Sequence, residues 1–204
     1  MSNIQSPISN LQFPIILGSQ SPRRRELMAG LDIPFRTVSI DADESFPADL
    51  TAGDIPLYIA RAKADAYLPQ LRQGELLITA DTIVWLDGQM LGKPHDADDA
   101  RRMLRLLSGK THQVYTAVTF TVCPTTSDQR PTTLVDRTDV TFRDLTDAEI
   151  DYYVEKYRPL DKAGAYGIQE YIGYIGVTAM NGSYFNVMGF PVEKVYEVLK
   201  RFGF

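Results

Sequence analysis

Residues 14–25, Pro-Ile-Ile-Leu-Gly-Ser-Gln-Ser-Pro-Arg-Arg-Arg, join an apolar run to a polar, strongly basic segment. The apolar run predicts a short buried strand over Pro14 to Leu17. Ser21 is a favourable helix N-cap, and Pro22 suits the first helical position, where no backbone donor is needed. The sequence therefore predicts a strand that leads directly into a helix, the basic unit of an α/β fold.

The start of this helix is also a candidate phosphate site. Unpaired backbone N–H groups, the positive end of the helix dipole and the forked donors of Arg23 and Arg24 all favour a bound phosphate. Consecutive arginines are equally typical of a solvated helix face. The segment alone leaves phosphate binding and an ordinary helix start equally open.

The composition is that of a soluble globular protein. The chain has 204 residues, of which 44% are hydrophobic and 23% charged, with a net charge of −5. This acidic balance argues against a protein that wraps nucleic acid. One cysteine and two histidines exclude an internal disulfide and leave little material for a zinc cluster or a Ser-His-Asp triad.

The sequence contains no recognisable membrane-spanning or secretory segment. No apolar stretch approaches the 18 residues of a membrane span, so we expect no membrane association. Residues 1–12 lack the basic start and apolar core of a signal peptide and are interpreted as a loose N-terminal tail. The predicted location is the cytoplasm, and the predicted organisation is a single domain over residues 13–204.

Helical and strand patterns alternate along the chain, which predicts an α/β fold with a mixed sheet flanked by helices. Further strands are predicted over residues 34–40, 76–80, 113–122 and 134–142, with a tight hairpin over 84–91 and a polar loop over 124–131. Helices are predicted over 55–71, from 96 or 98 to about 107, over 147–156, and from 191 onwards. In the 55–71 helix the expected buried residues are Leu57, Ala60, Ala64 and Leu68.

Two acidic segments follow predicted strands. Asp41, Asp43 and Glu44 come after the second strand and could hold Mg²⁺, which prefers one or two carboxylates together with substrate phosphates and water. A solvated loop is the simpler interpretation of these residues. Asp81, with Thr82 beside it, is expected at the C-terminal end of the 76–80 strand, the edge at which open α/β sheets bind ligands.

Basic and glycine-rich segments complete the candidates. Lys63 lies on a predicted helix and Lys93 follows the hairpin, and each is a weak signal alone. Residues 161–169, Asp-Lys-Ala-Gly-Ala-Tyr-Gly-Ile-Gln, allow a close approach of backbone to a ligand. Gln169 carries an acceptor and a donor that could pair with the N3–H and O4 edge of uracil or thymine. A tight packing loop is an equally good interpretation.

Together these segments resemble the Maf family of nucleoside triphosphate pyrophosphatases. The resemblance rests on Leu-Gly-Ser-Gln-Ser-Pro-Arg-Arg, Asp43-Glu44, Ala-Arg-Ala-Lys63-Ala, Ala-Asp81-Thr82, Gly-Lys93-Pro and the 161–169 segment, in consistent order from about residue 15 to the C-terminus. It implies an elongated α/β fold similar to the inosine triphosphatases, with two lobes around a central cleft. It also implies hydrolysis of a nucleoside triphosphate to monophosphate and pyrophosphate, and a chain that acts as a homodimer.

We expect functional roles for nine residues. Within the family that the chain resembles, Asp81 matches the proton acceptor. Asp81, Glu44, Lys63 and Lys93 are expected to be catalytic, with Glu44 and Asp81 holding Mg²⁺ or Mn²⁺. Ser19, Arg23, Arg24, Thr82 and Gln169 are expected to bind substrate. Whether Asp81 acts as a base or orients a metal-bound water stays open at this point.

The substrate subgroup follows from three of these positions. Arg23, Thr82 and Gln169 resemble the subgroup that acts on dTTP and UTP, whereas the 7-methyl-GTP subgroup tends to carry Trp, Gln and Glu there. Two alternatives are a pyrophosphatase for another modified nucleotide and a nucleotide-binding regulator of septum formation with little turnover. A P-loop NTPase is disfavoured because no Gly-x-x-x-x-Gly-Lys-Ser/Thr segment occurs.

Overall fold

The computed structural model describes residues 13–123 and 131–202. The predicted N-terminal tail and residues 124–130 of the predicted polar loop lie outside the described residues. The strands are β1 (Ile15–Gly18), β2 (Phe35–Val38), β3 (Leu76–Leu86), β4 (Gln89–Leu91), β5 (Thr111–Val122), β6 (Thr132–Phe142) and β7 (Val177–Asn181). The helices are α1 (Pro22–Ala29), α2 (Asp54–Tyr67), α3 (Ala97–Leu107), α4 (Asp147–Tyr157), α5 (Tyr171–Gly176), α6 (Tyr184–Val187) and α7 (Val192–Arg201).

The seven strands form one mixed sheet with the order β2-β1-β3-β5-β6-β7, and β4 pairs with β3. β1 runs parallel to both β2 and β3, and the remaining pairs are antiparallel. The predicted α/β class, with a mixed sheet flanked by helices, is confirmed. In the described parts of the chain no helix is long and apolar enough to cross a bilayer.

β3 is longer than the sequence predicts, because it continues through Asp81 and Thr82 to Leu86. β5 pairs with it from Leu76 to Trp85 and so carries it across the polar positions. Asp81 is therefore not at the end of a strand, and that prediction is wrong. The last rung between β1 and β3 joins Gly18 to Thr79, so Asp81 lies just past the end of β1, where this edge of the sheet becomes accessible.

The buried face of α2 also differs from the prediction. Ala60 and Ala64 are buried as expected, but Leu57 is only half-buried. Leu68 is 41% exposed, because it lies past the end of α2 in a 3₁₀ turn with Pro69, and a residue before proline rarely continues a helix. Other buried positions of α2 are Ile55, Ile59 and Tyr67.

Two large apolar clusters lie at either end of the sheet and form two lobes. One packs α1 and α7 against β1 and β3, with Met28, Phe190 and Leu199 at its centre. The other packs α3 and α4 against β5 and β6, with Leu104 and Tyr153 at its centre. A cavity of about 610 Å³ opens between them. The fold therefore places a cleft next to the accessible edge of β3.

Candidate active site

The nine residues with expected roles line one cavity between the lobes, whereas Asp41 and Asp43 of the acidic segment do not border it. The nine are Ser19, Arg23, Arg24, Glu44, Lys63, Asp81, Thr82, Lys93 and Gln169. They come from the end of β1, from α1, from the segment after β2, from α2, from β3, from the segment after β4, and from the segment before α5. The cavity thus brings together residues as far apart in sequence as Ser19 and Gln169, which are separated by 150 positions.

The charged end of the cavity is built around Lys63. Its Nζ lies 2.8 Å from Oδ1 of Asp81 and 2.9 Å from Oε1 of Glu44, so one ammonium group bridges both carboxylates. Burial alone would raise the pKa of Glu44, but the hydrogen bond and charge of Lys63, together with Lys93 and Arg24, lower it. Glu44 is therefore held ionised beside a cation.

The basic helix start predicted from the sequence is present at the mouth of this end. Ser21 caps α1 by accepting a hydrogen bond from the backbone N–H of Arg24, and the Ser19 hydroxyl accepts from the N–H of Ser21. Arg23 reaches across the cleft, where its Nη1 lies 3.1 Å from Oδ2 of Asp161. This ion pair joins the two lobes.

Arg24 is turned inward and hydrogen-bonds to protein atoms through all three guanidinium nitrogens. Nε donates to the Gly189 carbonyl at 2.8 Å, Nη1 to the Ala80 carbonyl at 3.0 Å, and Nη2 to the Thr82 hydroxyl at 3.0 Å. Burial lowers its pKa, partly offset by the charge of Asp81. Arg24 thus ties α1 to the middle of β3 and to the turn before α7.

The opposite end of the cavity is largely apolar. Alternation along β3 puts Thr82 and Val84 on the face away from Lys63, opposite Thr116 and Val114 of β5. Val84 and Val114 line the cavity there together with Tyr166, Val187 and Met188. A slot of this kind, with few polar groups, suits a nucleobase and sugar, whereas the charged end suits phosphates.

The segment that carries Gln169 is held by a buried polar network. Tyr153 accepts a hydrogen bond from the Gly167 N–H at 3.0 Å and donates through a short bond to Glu170. Lys162 lies 3.2 Å from Glu170 and 2.8 Å from Asp161. Within the described residues the buried Oε1 of Gln169 has no hydrogen-bond partner. Gln169 thus borders the cavity on a segment that is held by this network.

His112, which lies behind the wall of the cavity, was not singled out in the sequence as a site residue. His112 of β5 is fully buried, and its Nε2 lies 2.8 Å from the hydroxyl of Tyr166, which lines the cavity. Burial lowers the pKa of His112 to about 4, against a small opposing effect of Asp139. The imidazole is thus neutral at pH 7 and supports the Tyr166 ring from behind.

Glu44 and Asp81 form a carboxylate pair of the kind that binds divalent metal ions. Across residues 13–123 and 131–202, acidic, histidine and cysteine side chains form no cluster of three. Glu44 and Asp81 nevertheless meet on one ammonium group at the charged end. Two carboxylates beside the basic start of α1 fit Mg²⁺, which commonly combines carboxylates with substrate oxygens and water.

Comparisons with known proteins identify the family of this chain. The model of the family described as Maf-like protein matches residues 14–202. The chain is 56% identical over 192 residues to a dTTP/UTP pyrophosphatase of Bacteroides thetaiotaomicron, covering 93% of this chain and 96% of that protein. It is 52% identical over 200 residues to a dTTP/UTP pyrophosphatase of Porphyromonas gingivalis W83, covering 96% and 98%.

Among solved structures, the Staphylococcus aureus Ham1 protein superposes with a TM-score of 0.50 at 14% identity, covering 91% of this chain and 99% of that chain. A likeness at this identity concerns the fold, and it agrees with the expected inosine-triphosphatase-like architecture. The family model covers nearly all of the described chain, and the identities to curated relatives extend over the same length. The chain therefore belongs to the Maf-like protein family.

Proposed function

We propose that this protein hydrolyses dTTP and UTP to the nucleoside monophosphate and pyrophosphate. The observation that carries the proposal is the single cavity that has a charged end around Lys63 and an apolar end around Val84 and Tyr166. A nucleoside triphosphate has the same two ends. The names of the 52–56% identical relatives support the same reaction and substrate class.

The phosphate chain would lie at the charged end. The Ser19 hydroxyl, the N-terminus of α1 and the Arg23 guanidinium would bind its oxygens, since an anion is favoured by backbone N–H groups and a helix dipole. Arg24 would act on the phosphates through its charge and through its ties to β3, because each of its nitrogens already donates to a protein atom. Lys63 and Lys93 would neutralise the charge that develops on the departing pyrophosphate.

Glu44 and Asp81 would hold a divalent cation, Mg²⁺ or Mn²⁺. When bound, such a cation polarises phosphate oxygens and acidifies a bound water. Lys63 contacts both carboxylates, so it would fix their orientation toward the cation.

Asp81 would orient the attacking water and receive its proton. Water attacks the α-phosphorus in line, the bond to the bridging oxygen breaks, and pyrophosphate leaves with that oxygen. Little covalent chemistry is needed from the protein, so positioning and electrostatic stabilisation carry most of the rate. Lys63, whose Nζ lies 2.8 Å from Oδ1 of Asp81, would position the carboxylate and would stabilise negative charge beside it.

Gln169 would read the base. Its unpartnered Oε1 suits the N3–H of uracil or thymine, and its amide N–H group suits the neighbouring O4. Thr82 lies on the same apolar face of the cavity as Val84, and Arg23 would complete the substrate contacts. We further propose that the protein acts in the cytoplasm as a single domain over residues 13–204, assembled as a homodimer.

The first experiment is a substrate panel with purified protein and Mg²⁺ or Mn²⁺, in which pyrophosphate is resolved from orthophosphate. We expect pyrophosphate and monophosphate from dTTP and UTP. Asp81→Asn should lower kcat by at least about 100-fold while nucleotide affinity changes little. Asp65→Asn, at an exposed position of α2, is the matched control and should keep wild-type turnover.

Two outcomes would change the assignment. Faster release of pyrophosphate from 7-methyl-GTP than from dTTP and UTP would support the proposed reaction. It would contradict the substrate assignment drawn from Arg23, Thr82 and Gln169. Tight nucleotide binding with no release from any substrate would refute the proposed reaction and favour a nucleotide-binding regulator. Full activity of Asp81→Asn would remove Asp81 from the mechanism.

A further inference from the structure

Thr82 belongs to a chain of hydrogen bonds that runs from the cavity into the protein. Its Oγ1 accepts from Nη2 of Arg24 at 3.0 Å and lies 2.9 Å from Oγ1 of Thr116. Thr116 is fully buried on β5, directly across from Thr82, and its Oγ1 donates to the backbone carbonyl of Asn186 at 3.0 Å.

The direction of this chain follows from counting protons. A carbonyl oxygen only accepts, so the single proton of the Thr116 hydroxyl is used on Asn186. The proton between the two hydroxyl groups must therefore come from Thr82. A guanidinium only donates, so Thr82 accepts from Arg24. One lone pair of the Thr82 hydroxyl is left, and it can only accept.

The far end of the chain is firmly anchored. Asn186 is fully buried, and its Nδ2 donates to the Val114 carbonyl at 3.0 Å and to the Thr138 hydroxyl at 2.9 Å. Thr138 in turn accepts from the Ser183 N–H at 3.0 Å. The carbonyl that orients Thr116 is thus fixed by both β5 and β6, so the Thr82 proton has one defined position.

We propose that Thr116 is a positioning residue that makes Thr82 an acceptor-only group toward the nucleoside, and thereby selects nucleotides that present a donor there. The inference rests on the proposed function, in that a pyrimidine nucleotide occupies the cavity. The shared chemistry is one N–H or O–H donor on the nucleoside. Two groups that dTTP and UTP share qualify: the O3′–H of the sugar, and the N3–H of the base if it pairs with Thr82 in place of Gln169.

A nucleotide with an acceptor at this point is rejected, because two lone pairs then face each other and neither group is satisfied. CTP has such an acceptor at N3. A 3′-fluoro sugar has one in place of the 3′-hydroxyl group. Removal of the Thr116 hydroxyl would free the Thr82 proton to rotate into the cavity, where it could donate to the acceptor.

The test measures the dissociation constants of non-hydrolysable α,β-methylene analogues, so that it does not depend on turnover. Two ligands that differ in the base, UTP and CTP, are compared with each other. Two ligands that differ in the sugar, dTTP and its 3′-fluoro-3′-deoxy analogue, are compared in the same way. The proteins are wild type, Thr116→Val, Thr116→Ala and Thr116→Ser. Thr119→Val is the control, because Thr119 is also a fully buried threonine of β5 and its hydroxyl has no partner within the described part of the chain.

We expect wild type to prefer the donor-bearing ligand by about tenfold or more in one of the two pairs. Thr116→Val and Thr116→Ala should each reduce that preference by about tenfold, chiefly through tighter binding of the disfavoured ligand. Thr116→Ser and Thr119→Val should keep it. The pair that responds identifies the donor as the base or the sugar.

Unchanged selectivity in both pairs for the Thr116 variants that bind nucleotide would overturn the inference, and so would an equal loss in Thr119→Val. A loss of affinity for all four ligands in the same proportion would also overturn it, because that is the result of a purely structural role. Absence of turnover in the wild type, with selective binding and its loss in Thr116→Val, would refute the proposed reaction while supporting the role of Thr116.

Discussion

The buried His112 should make the stability of this protein depend on pH well above the range in which carboxyl groups titrate. In the folded protein burial lowers the pKa of His112 from 6.5 to about 4. The unfolded chain takes up a proton as the pH falls below 6.5, whereas the folded protein does so only near pH 4. The stabilisation is therefore complete above pH 6.5 and is lost progressively as the pH falls toward 4.

The size of the effect follows from linkage. Each pH unit in this window costs about 1.4 kcal/mol, so lowering the pH from 7 to 5 should reduce the free energy of unfolding by about 2 kcal/mol through His112 alone. Carboxyl groups contribute at lower pH. For Glu149, for example, the hydrogen bond from Arg143 lowers the pKa to about 2, and its contribution is lost only as the pH falls below 4.5.

Urea unfolding at pH 7, 6 and 5 measures this dependence directly. We expect His112→Gln to be less stable than wild type at pH 7, because the packing around Phe142 and Tyr166 is disturbed, and to lose about 2 kcal/mol less than wild type on going to pH 5. His95→Gln changes the other histidine, at an exposed position, and should keep the wild-type pH dependence. Parallel curves for wild type and His112→Gln would refute the argument, since they would mean that His112 is not held neutral by burial.

The remaining predictions concern single side chains of the cavity. In the same urea titration, Arg24→Lys should lower the free energy of unfolding by about 3 kcal/mol, because an ammonium group cannot reach the three acceptors of the guanidinium group. Arg25→Lys, at the exposed neighbouring position, is the control and should change the free energy of unfolding by less than about 0.5 kcal/mol. Gln169→Glu should reduce the preference for UTP over GTP, measured as the ratio of kcat/KM values, by about tenfold, since the donor to O4 is lost and a charge is added; an unchanged ratio would place base recognition elsewhere.

Local sequence signals predicted the starts of three helices well. The predicted Ser21 cap with Pro22 behind it is present, and the helices predicted near 96–107 and 147–156 begin at an Asp96 cap and at a capping box of Thr146 and Glu149. Each of these features depends on residues within one turn of the helix. The length of β3 was not predictable in the same way. Its polar middle is kept in the strand by pairing with β5, a partner more than 30 residues away in sequence at that point.

The chain between Gln169 and Gly182 contains α5 and β7, for which the sequence analysis predicts no element. β7 is an edge strand whose residues are mostly exposed, so no alternation of apolar and polar residues marks it. In α5, Gly173 lies so close to the Ile168 carbonyl that any side chain would collide with it. That requirement comes from tertiary packing, and a pattern of local propensities does not contain it.

The nine predicted site residues all border the cavity, although their contacts were not predictable. Sequence indicates which side chains can bind phosphate, but not that Arg24 would use its nitrogens on Gly189, Ala80 and Thr82. Thr116 gave no signal, because a threonine inside an apolar strand is an ordinary β-sheet residue. Its contact with Thr82 depends on the pairing register of β3 and β5, which the local sequence does not indicate.

The bond from Arg24 to the Gly189 carbonyl joins residues 165 positions apart, close to the two ends of the described chain. A growing chain on the ribosome therefore cannot complete this site until residue 189 has emerged. Contacts of such sequence separation form slowly, because the entropy of closing the intervening loop opposes them. Catalytic competence should thus be a late event in folding, and partial synthesis products that begin to fold should be inert toward the cellular nucleotide pool.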